Sequence, residues 1–226
     1  LKLILEIKRN KSILTNIVME IENTNVKSAY EIIGTHFSYT RPKIWYWIQD
    51  FLDQLSSNSS ILDLGCGNGR NMIDENHNFI GVDNCSSFLN ICQQKCLNVL
   101  QSDITNLPFN DNTFDNIICI AVFHHLSNIE RRMKCLNEMY RVLCPCGQIL
   151  ISVWSKNQSH NKKLNFDYGK NLVPWKSKNG NTQCLRYYYI FENIELEKLL
   201  IKSNFIIQKW EWIHGNEVIT LSKKNK

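Results

Sequence analysis

The chain has 226 residues, of which 43% are hydrophobic, with 26 Lys and Arg against 21 Asp and Glu for a net charge of +5. This length suits one well-filled domain, and the composition excludes a disordered or fibrous chain, while the mild basic excess permits a nucleic-acid partner without demanding one. No apolar run approaches the ~20 residues of a membrane span, and nine scattered cysteines without a signal peptide point to reduced thiols in a cytoplasmic or nuclear location.

Residues 1–29 read as an N-terminal extension, expected to be partly disordered. Lys2, Glu6, Lys8, Arg9 and Lys11 interrupt its apolar residues, and Met19 is the first methionine. Residues 30–226 read as a single domain with a basic insertion at 155–190. Tyr30 to Arg41 is short, aromatic and polar, and reads as a loop or lid that carries His36 and Arg41. Pro42 suits a helix first turn. Ile44, Trp47, Ile48, Phe51, Leu52 and Leu55 follow at helical spacing and form a core-facing stripe.

The stretch Ile61-Leu-Asp-Leu-Gly-Cys-Gly-Asn-Gly-Arg70 organises the rest. It reads as a buried strand that ends in a tight turn under a helix start. Gly65 and Gly67 let the backbone turn and approach a ligand closely. A dinucleotide fingerprint needs G-x-G-x-x-G, and here Gly69 is out of register. Asp63 would repel a pyrophosphate but could receive an ammonium group. S-adenosylmethionine has an amino group and no phosphate, so it suits the loop better. The string resembles motif I of the class I S-adenosylmethionine-dependent methyltransferases.

Asn78 to Asp83 is a second buried strand, and Asp83 at its end suits ribose hydroxyls. Ser86 or Ser87 is the expected cap of the next helix. Leu97 to Gln101 is a third strand, and Asp103 after it could accept from an adenine amino group. Phe114 to Val122 is the most apolar run and therefore central. It leads into Phe123-His124-His125. Ser127 and Glu130 have capping-box spacing and open a helix through Leu143, with Ile129, Met133, Leu136, Tyr140 and Leu143 inward. Cys144-Pro-Cys-Gly147 reads as a turn, since two cysteines fall short of a tetrahedral metal set. Gln148 to Val153 is a fifth strand, ending at Trp154.

Residues 155–190 break the alternation of strands and helices. Between Lys156 and Lys178 stand six lysines and one acid, Asp167, with Phe166, Tyr168 and Trp175 interleaved. Basic and aromatic residues together suit phosphates and exposed bases. A solvated face is the plainer reading of the same lysines. Arg186-Tyr-Tyr-Tyr-Ile-Phe191, a helix near Glu195 to Lys202, and two strands joined at His214-Gly-Asn216 close the chain.

H-F-S-Y-T-R, D-L-G-C-G-N-G, I-A-V-F-H-H-L, E-R-R, V-P-W and R-Y-Y together resemble the tRNA wobble-uridine carboxymethyl methyltransferases, among them the methyltransferase domain of AlkB homologue 8. The resemblance runs from about Tyr30 to the C-terminus. It implies an α/β fold of the class I methyltransferase type, a mostly parallel seven-stranded sheet with a C-terminal antiparallel hairpin. It implies esterification of 5-carboxymethyluridine in tRNA with S-adenosyl-L-methionine, aided by a small zinc-binding activator subunit expected at the Leu97–Gln101 edge strand. It implies a cofactor site at Asp63, Gly65, Gly67, Asp83, Asp103 and Ala121. Arg41 and His124 are the implied catalytic pair. Trp154, Arg186 and Tyr187 would shape the uridine pocket, His36 on the lid would bind substrate or tRNA, and Lys162, Lys163 and Lys170 would bind tRNA. Cys146 departs from the family's usual glycine. A methyltransferase acting on a small molecule or protein, and a non-catalytic cofactor-binding scaffold, stay open as alternatives.

Overall fold

The computed structural model describes residues 20–159, 161, 164–177 and 179–224. Strands β1 (Ser60–Leu64), β2 (Asn78–Asp83), β3 (Val99–Gln101), β4 (Phe114–Ile120), β5 (Leu143–Trp154), β8 (Phe205–Ile213) and β9 (Asn216–Lys223) form one sheet in the order β3-β2-β1-β4-β5-β9-β8. The pairs among β1 to β5 are parallel, and β9 runs antiparallel to both β5 and β8. His214 and Gly215 both have positive φ (45° and 80°), as a tight hairpin turn between β8 and β9 requires. No helix among the described residues is long and apolar enough to cross a membrane.

Strand alternation divides the core into two layers. Ile61, Ile118, Ile120, Leu150 and Val218 meet Trp47, Ile48, Phe51 and Leu52 on one face. Leu62, Leu64, Ile117, Cys119, Ile149, Ile151 and Leu221 meet the helices Ile129–Val142 and Asn193–Lys202 on the other. Fully burying each such side chain contributes about 1.5–3 kcal/mol. The rigid sheet holds the carboxyl ends of β1, β2 and β4 side by side.

Several sequence expectations are corrected. Tyr30 to Arg41 is no loop: it lies mostly in helix α1 (Ser28–Tyr39). Helix α2 (Tyr46–Leu52) begins four residues after Pro42, with Trp45 extended ahead of it. No helix follows the glycine stretch. Residues 65–77 cross from β1 to β2 in turns alone, and Asp74 accepts the Asn76 N–H at 2.9 Å within one of them. Arg70-Asn-Met-Ile-Asp-Glu-Asn-His77 is rich in Asn and Asp, which compete for backbone hydrogen bonds and favour turns.

Neither Ser86 nor Ser87 caps helix α3 (Ser86–Gln94). The Glu31 carboxylate does so from α1, accepting the N–H groups of Ser86 (2.5 Å) and Ser87 (2.9 Å). Burial pushes the Glu31 carboxyl up, but the hydrogen bonds from Ser87 and Ser86 outweigh it and hold it below the usual range. Helix α4 (Ile129–Val142) is capped by Asn128, which accepts from Arg131 N at 2.9 Å, rather than by Ser127. Its inward face is Arg132, Cys135, Leu136, Met139 and Val142, and Ile129 is 46% exposed. Cys144 to Gly147 belongs to a long, irregular β5, with Cys146 at φ 68°, a left-handed conformation that favours glycine.

The 155–190 insertion holds a separate antiparallel hairpin, β6 (Gly169–Lys176) and β7 (Thr182–Ile190). Within the N-terminal extension, Asn23–Lys27 is a π-helical stretch.

Candidate active site

A cavity opens at the carboxyl ends of β1, β2 and β4, under α1 and beside β7. It is lined by Arg41, Gly65, Gly67, Asp83, Asp103, Ala121, His124, Trp154 and Arg186, all expected from sequence. Glu22, Tyr30, Arg70, Asn71, Arg131 and Tyr188 also line it.

At the cofactor end, Gly65 (φ +79°) lies so close to Val122 that any side chain would collide with it. A Cβ on Gly67 (φ +53°) would meet nothing within 4 Å, so the loop faces open space there. Asp83 ties this loop down: Oδ2 accepts Gly67 N and Oδ1 accepts Cys85 N, both at 2.9 Å. Burial nevertheless raises the Asp83 carboxyl above its ordinary value. Asp103 accepts from Arg131 Nη2 (2.8 Å) and from both the N–H and hydroxyl of Thr105 (2.8 Å each). Arg131 in turn donates Nε to Glu22 at 2.7 Å, so the N-terminal segment is tied to this end of the cavity. Ala121 has φ 58°, and this sharp turn at the end of β4 aims the 3-10 turn Phe123–His125 at the cavity.

Asp63 does not itself line the cavity. It is fully buried, and Asn71 stands between it and the open space, donating Nδ2 to Asp63 Oδ2 at 3.4 Å. Burial pushes the Asp63 carboxyl up to about 7.

The other end is aromatic and cationic. His124 Nδ1 accepts the Trp154 N–H at 2.9 Å, so the neutral ring carries its proton on Nε2. That Nε2 has no partner, and burial together with His125 holds the ring's pKa well below its ordinary value. His125 is part of the framework. Its Nδ1 meets Tyr187 O at 2.6 Å, and its Nε2 meets Tyr30 Oη at 3.1 Å. Tyr30 Oη contacts Tyr188 Oη at 3.2 Å, which accepts from Arg186 Nη1 at 2.7 Å. Trp154 stacks on Tyr188 with ring centroids 4.1 Å apart.

Arg41 and Arg186 lie over the Trp175 ring at 5.2 and 4.9 Å. Arg70 lies over Trp45 at 4.2 Å. Among the described residues, none of these three arginines is in an ion pair with an acid. Arg41 and Arg186, outside any ion pair, suit this end of the cavity to an anion, while Asp83, Asp103 and Glu22 line the cofactor end.

Some expected residues stand elsewhere. Tyr187 faces away from the cavity and donates to Ser127 O at 3.3 Å, because successive residues of β7 point to opposite faces. Arg186 and Tyr188 share the cavity face, so Tyr188 takes the role expected of Tyr187. His36 accepts from Trp175 Nε1 at 3.2 Å and supports that ring from outside the cavity. Lys170 is exposed on β6, away from the cavity. Lys162 and Lys163 lie outside the described residues. Arg70 and Asn71 carried one legible signal: they follow the glycine stretch directly.

Comparison with known proteins agrees with this geometry. Residues 62–151 match the model of a methyltransferase domain family. A tRNA (carboxymethyluridine(34)-5-O)-methyltransferase of Schizosaccharomyces pombe is 33% identical, over 80% of this chain and 89% of the relative. One from Arabidopsis thaliana is 42% identical over 64% of this chain and 36% of its own length. A mouse relative, "Probable tRNA methyltransferase 9B", is 37% identical over 70% of this chain, and the chain spans only 35% of that protein. The chain spans about a third of the bovine and human proteins of the same name.

A SAM-dependent methyltransferase structure from Methanosarcina mazei superposes with a TM-score of 0.62 at 19% identity, covering 80% of this chain and 98% of that one. A chain from the complex of the Haloferax volcanii Trm112 methyltransferase activator with a methyltransferase gives 0.67 at 13% identity, covering 89% and 98%. The fold is therefore the class I methyltransferase fold. The chain belongs to the tRNA (carboxymethyluridine(34)-5-O)-methyltransferase family.

Proposed function

We propose that this chain esterifies the carboxylate of 5-carboxymethyluridine at the tRNA wobble position, giving the methyl ester. The observation that carries the reading is that Arg41 and Arg186, which hydrogen-bond only to hydroxyls (Thr40 and Tyr188) and form no ion pair among the described residues, line one cavity with the unpartnered His124 Nε2. When bound, S-adenosylmethionine supplies an electrophilic methyl group. The residues present fit it: the acids Asp83 and Asp103 suit hydroxyl and amino groups and would repel a pyrophosphate, and the space beside Gly67 is open.

A carboxylate with a reference pKa near ~4 is ionised at neutral pH, so the nucleophile needs no general base. Its needs are desolvation and alignment. Arg41 offers a planar two-donor fork, and Arg186 a second cation nearby. His124, neutral because it is buried, donates Nε2–H without adding charge that would quench the nucleophile. Holding the carboxylate in line can supply about 7–11 kcal/mol. Trp154 and Tyr188, stacked on each other, form an aromatic wall at the end where the base would enter.

The reading extends to partners. Exposed Lys170 belongs to a basic hairpin suited to the tRNA backbone. Strand β3 is an outer strand of the sheet, and Leu100 in it is 42% exposed. An apolar edge of this kind suits strand addition by a small zinc-binding activator subunit. Mass spectrometry of wobble nucleosides tests the function. Cells lacking the protein should accumulate 5-carboxymethyluridine in place of its methyl ester; unchanged ester levels count against it.

A further inference from the structure

Two adjacent histidines are held as opposite tautomers. His124 Nδ1 accepts the Trp154 N–H, so its proton sits on Nε2. His125 does the reverse. Its Nδ1 lies 2.6 Å from Tyr187 O, a carbonyl that can only accept, so Nδ1 carries the proton and Nε2 of the neutral ring is bare. Burial and the nearby Arg186 charge keep the ring neutral. They outweigh the bond to Tyr187 O and take its pKa down to about 4.

That one assignment fixes each proton beyond it. Nε2 needs a donor, and Tyr30 Oη stands 3.1 Å away, so Tyr30 gives its one hydroxyl hydrogen to His125. Towards Tyr188 Oη, 3.2 Å away, Tyr30 can then only accept. Tyr188, with its hydrogen turned to Tyr30, presents a lone pair to Arg186 Nη1 at 2.7 Å. Burial raises the Tyr188 phenol well above its ordinary value, so this oxygen keeps its hydrogen. The donors therefore run one way, from Arg186 through Tyr188 and Tyr30 to His125 and on to Tyr187 O. The chain joins the 3-10 turn after β4, helix α1 and β7, and the Tyr30 ring is held against Phe37 and Phe88 at 5.5 and 5.8 Å.

The direction matters because Tyr188 and Arg186 both line the cavity. With the hydrogen on His125 Nε2 instead, Tyr30 would donate to Tyr188. Tyr188 would then send its own hydrogen towards the guanidinium, which repels it, or into the cavity. We propose that His125 and Tyr30 are positioning residues for Arg186: their hydrogen bonds keep the Tyr188 oxygen turned to Nη1 and so fix the guanidinium for the substrate's carboxylate. Arg186 Nε, buried and without a partner, is among the donors left for that ligand. The proposal rests on the carboxylate reading of the site above.

Two measurements test it. Long-range proton–nitrogen NMR on the chain alone at neutral pH should show His125 bare at Nε2 and His124 bare at Nδ1. Two rings in the same tautomer, or a charged His125, would overturn the proposal. Binding is then measured for tRNA carrying 5-carboxymethyluridine and for the same tRNA with uridine. Tyr30→Phe keeps the ring and removes the hydroxyl. It should weaken the carboxymethyl tRNA about three- to tenfold and the unmodified tRNA less than about twofold. Added to Tyr188→Phe, where the chain is already cut, it should cost less than about twofold more. His125→Gln, which keeps an acceptor for Tyr30, should retain more of the preference for the carboxymethyl tRNA than His125→Leu. Equal losses on both tRNAs, additive losses in the double variant, or no loss would overturn the proposal and leave Tyr30 a packing residue. A wild-type chain with no preference for the carboxymethyl tRNA would instead remove the carboxylate reading, and the proposal with it. Thermal melts show which variants fold, and should Tyr30→Phe unfold, the tautomers of the wild-type rings decide.

Discussion

His124 accepts the backbone N–H of Trp154 on Nδ1, and this one 2.9 Å contact fixes which nitrogen the ring can offer to a ligand. The neutral ring must present Nε2–H, which is otherwise unpartnered. A strand-end histidine thus becomes a fixed, uncharged donor, held by the strand that carries the stacking tryptophan.

His124→Asn should therefore be informative. The shorter amide can still accept from Trp154 N, but nothing replaces Nε2–H. Turnover should fall about a hundredfold, the usual consequence of removing one positioned donor. Binding of S-adenosylmethionine should stay within a few-fold of wild type. Because burial keeps the ring neutral well below its ordinary pKa, turnover of the wild-type enzyme should show no limb near pH 6.5 assignable to this histidine. A titration near 6.5 that disappears in the variant would contradict the assignment.

Asp63 makes a pH-dependent contribution of unusual sign. Its carboxyl is raised from 3.8 to about 7 by burial, so the folded chain holds this proton more tightly than the unfolded one. Ionisation then opposes folding, and its cost grows as pH rises from about 4 to about 7. Asp63→Asn, which cannot ionise, should gain stability relative to wild type across that interval and keep a constant advantage above it. Cofactor affinity should move the other way, strengthening in the wild type as pH rises through 7 and staying flat in the variant. Denaturant melts and calorimetry at several pH values check both halves.

Tyr187 and Tyr188 are adjacent but face opposite ways, and their phenylalanine variants should separate. Tyr187→Phe loses one hydrogen bond to Ser127 O, worth about 1 kcal/mol of stability, with turnover close to wild type. Tyr188→Phe leaves Arg186 Nη1 and Tyr30 without their shared hydroxyl. Turnover should drop several-fold, chiefly through looser binding of the modified tRNA. Steady-state kinetics and thermal melts on the pair distinguish the two roles.

The sheet was legible because its strands are short apolar runs punctuated by glycine and acids, and the residues at their carboxyl ends identified the cavity floor. Local signals misled where a distant residue does the work. Ser86 and Ser87 look like caps, but Glu31 supplies the oxygen atoms. Ile129 looks like a core residue, but the helix turns Arg132 and Cys135 inward instead. Glycines followed by Arg70 suggest a helix start, whereas the crossover runs in turns. Asp63 shows the same limit at the site: its residue type and position were readable, but the intervening Asn71 belongs to the three-dimensional path of that turn. Tyr188 needed only the alternation of β7, which the tyrosine run itself conceals because all three residues look alike.

The proposed esterification requires the cationic end of the cavity to grip a carboxylate on the wobble base. It is tested most directly by methyl transfer from labelled S-adenosylmethionine to tRNA carrying 5-carboxymethyluridine, at saturating tRNA, by the wild-type chain and by Arg41→Lys, each with and without the proposed activator subunit. Arg41 lies 4.3 Å from the Phe37 ring centroid with its fork free of acids, and an ammonium cannot reproduce that fork. Wild type should transfer methyl to the carboxymethyl tRNA and none to the same tRNA with unmodified uridine. Arg41→Lys should lose at least tenfold in turnover with cofactor affinity within twofold. Near-normal turnover by the lysine variant, or methylation of the unmodified tRNA, would contradict it.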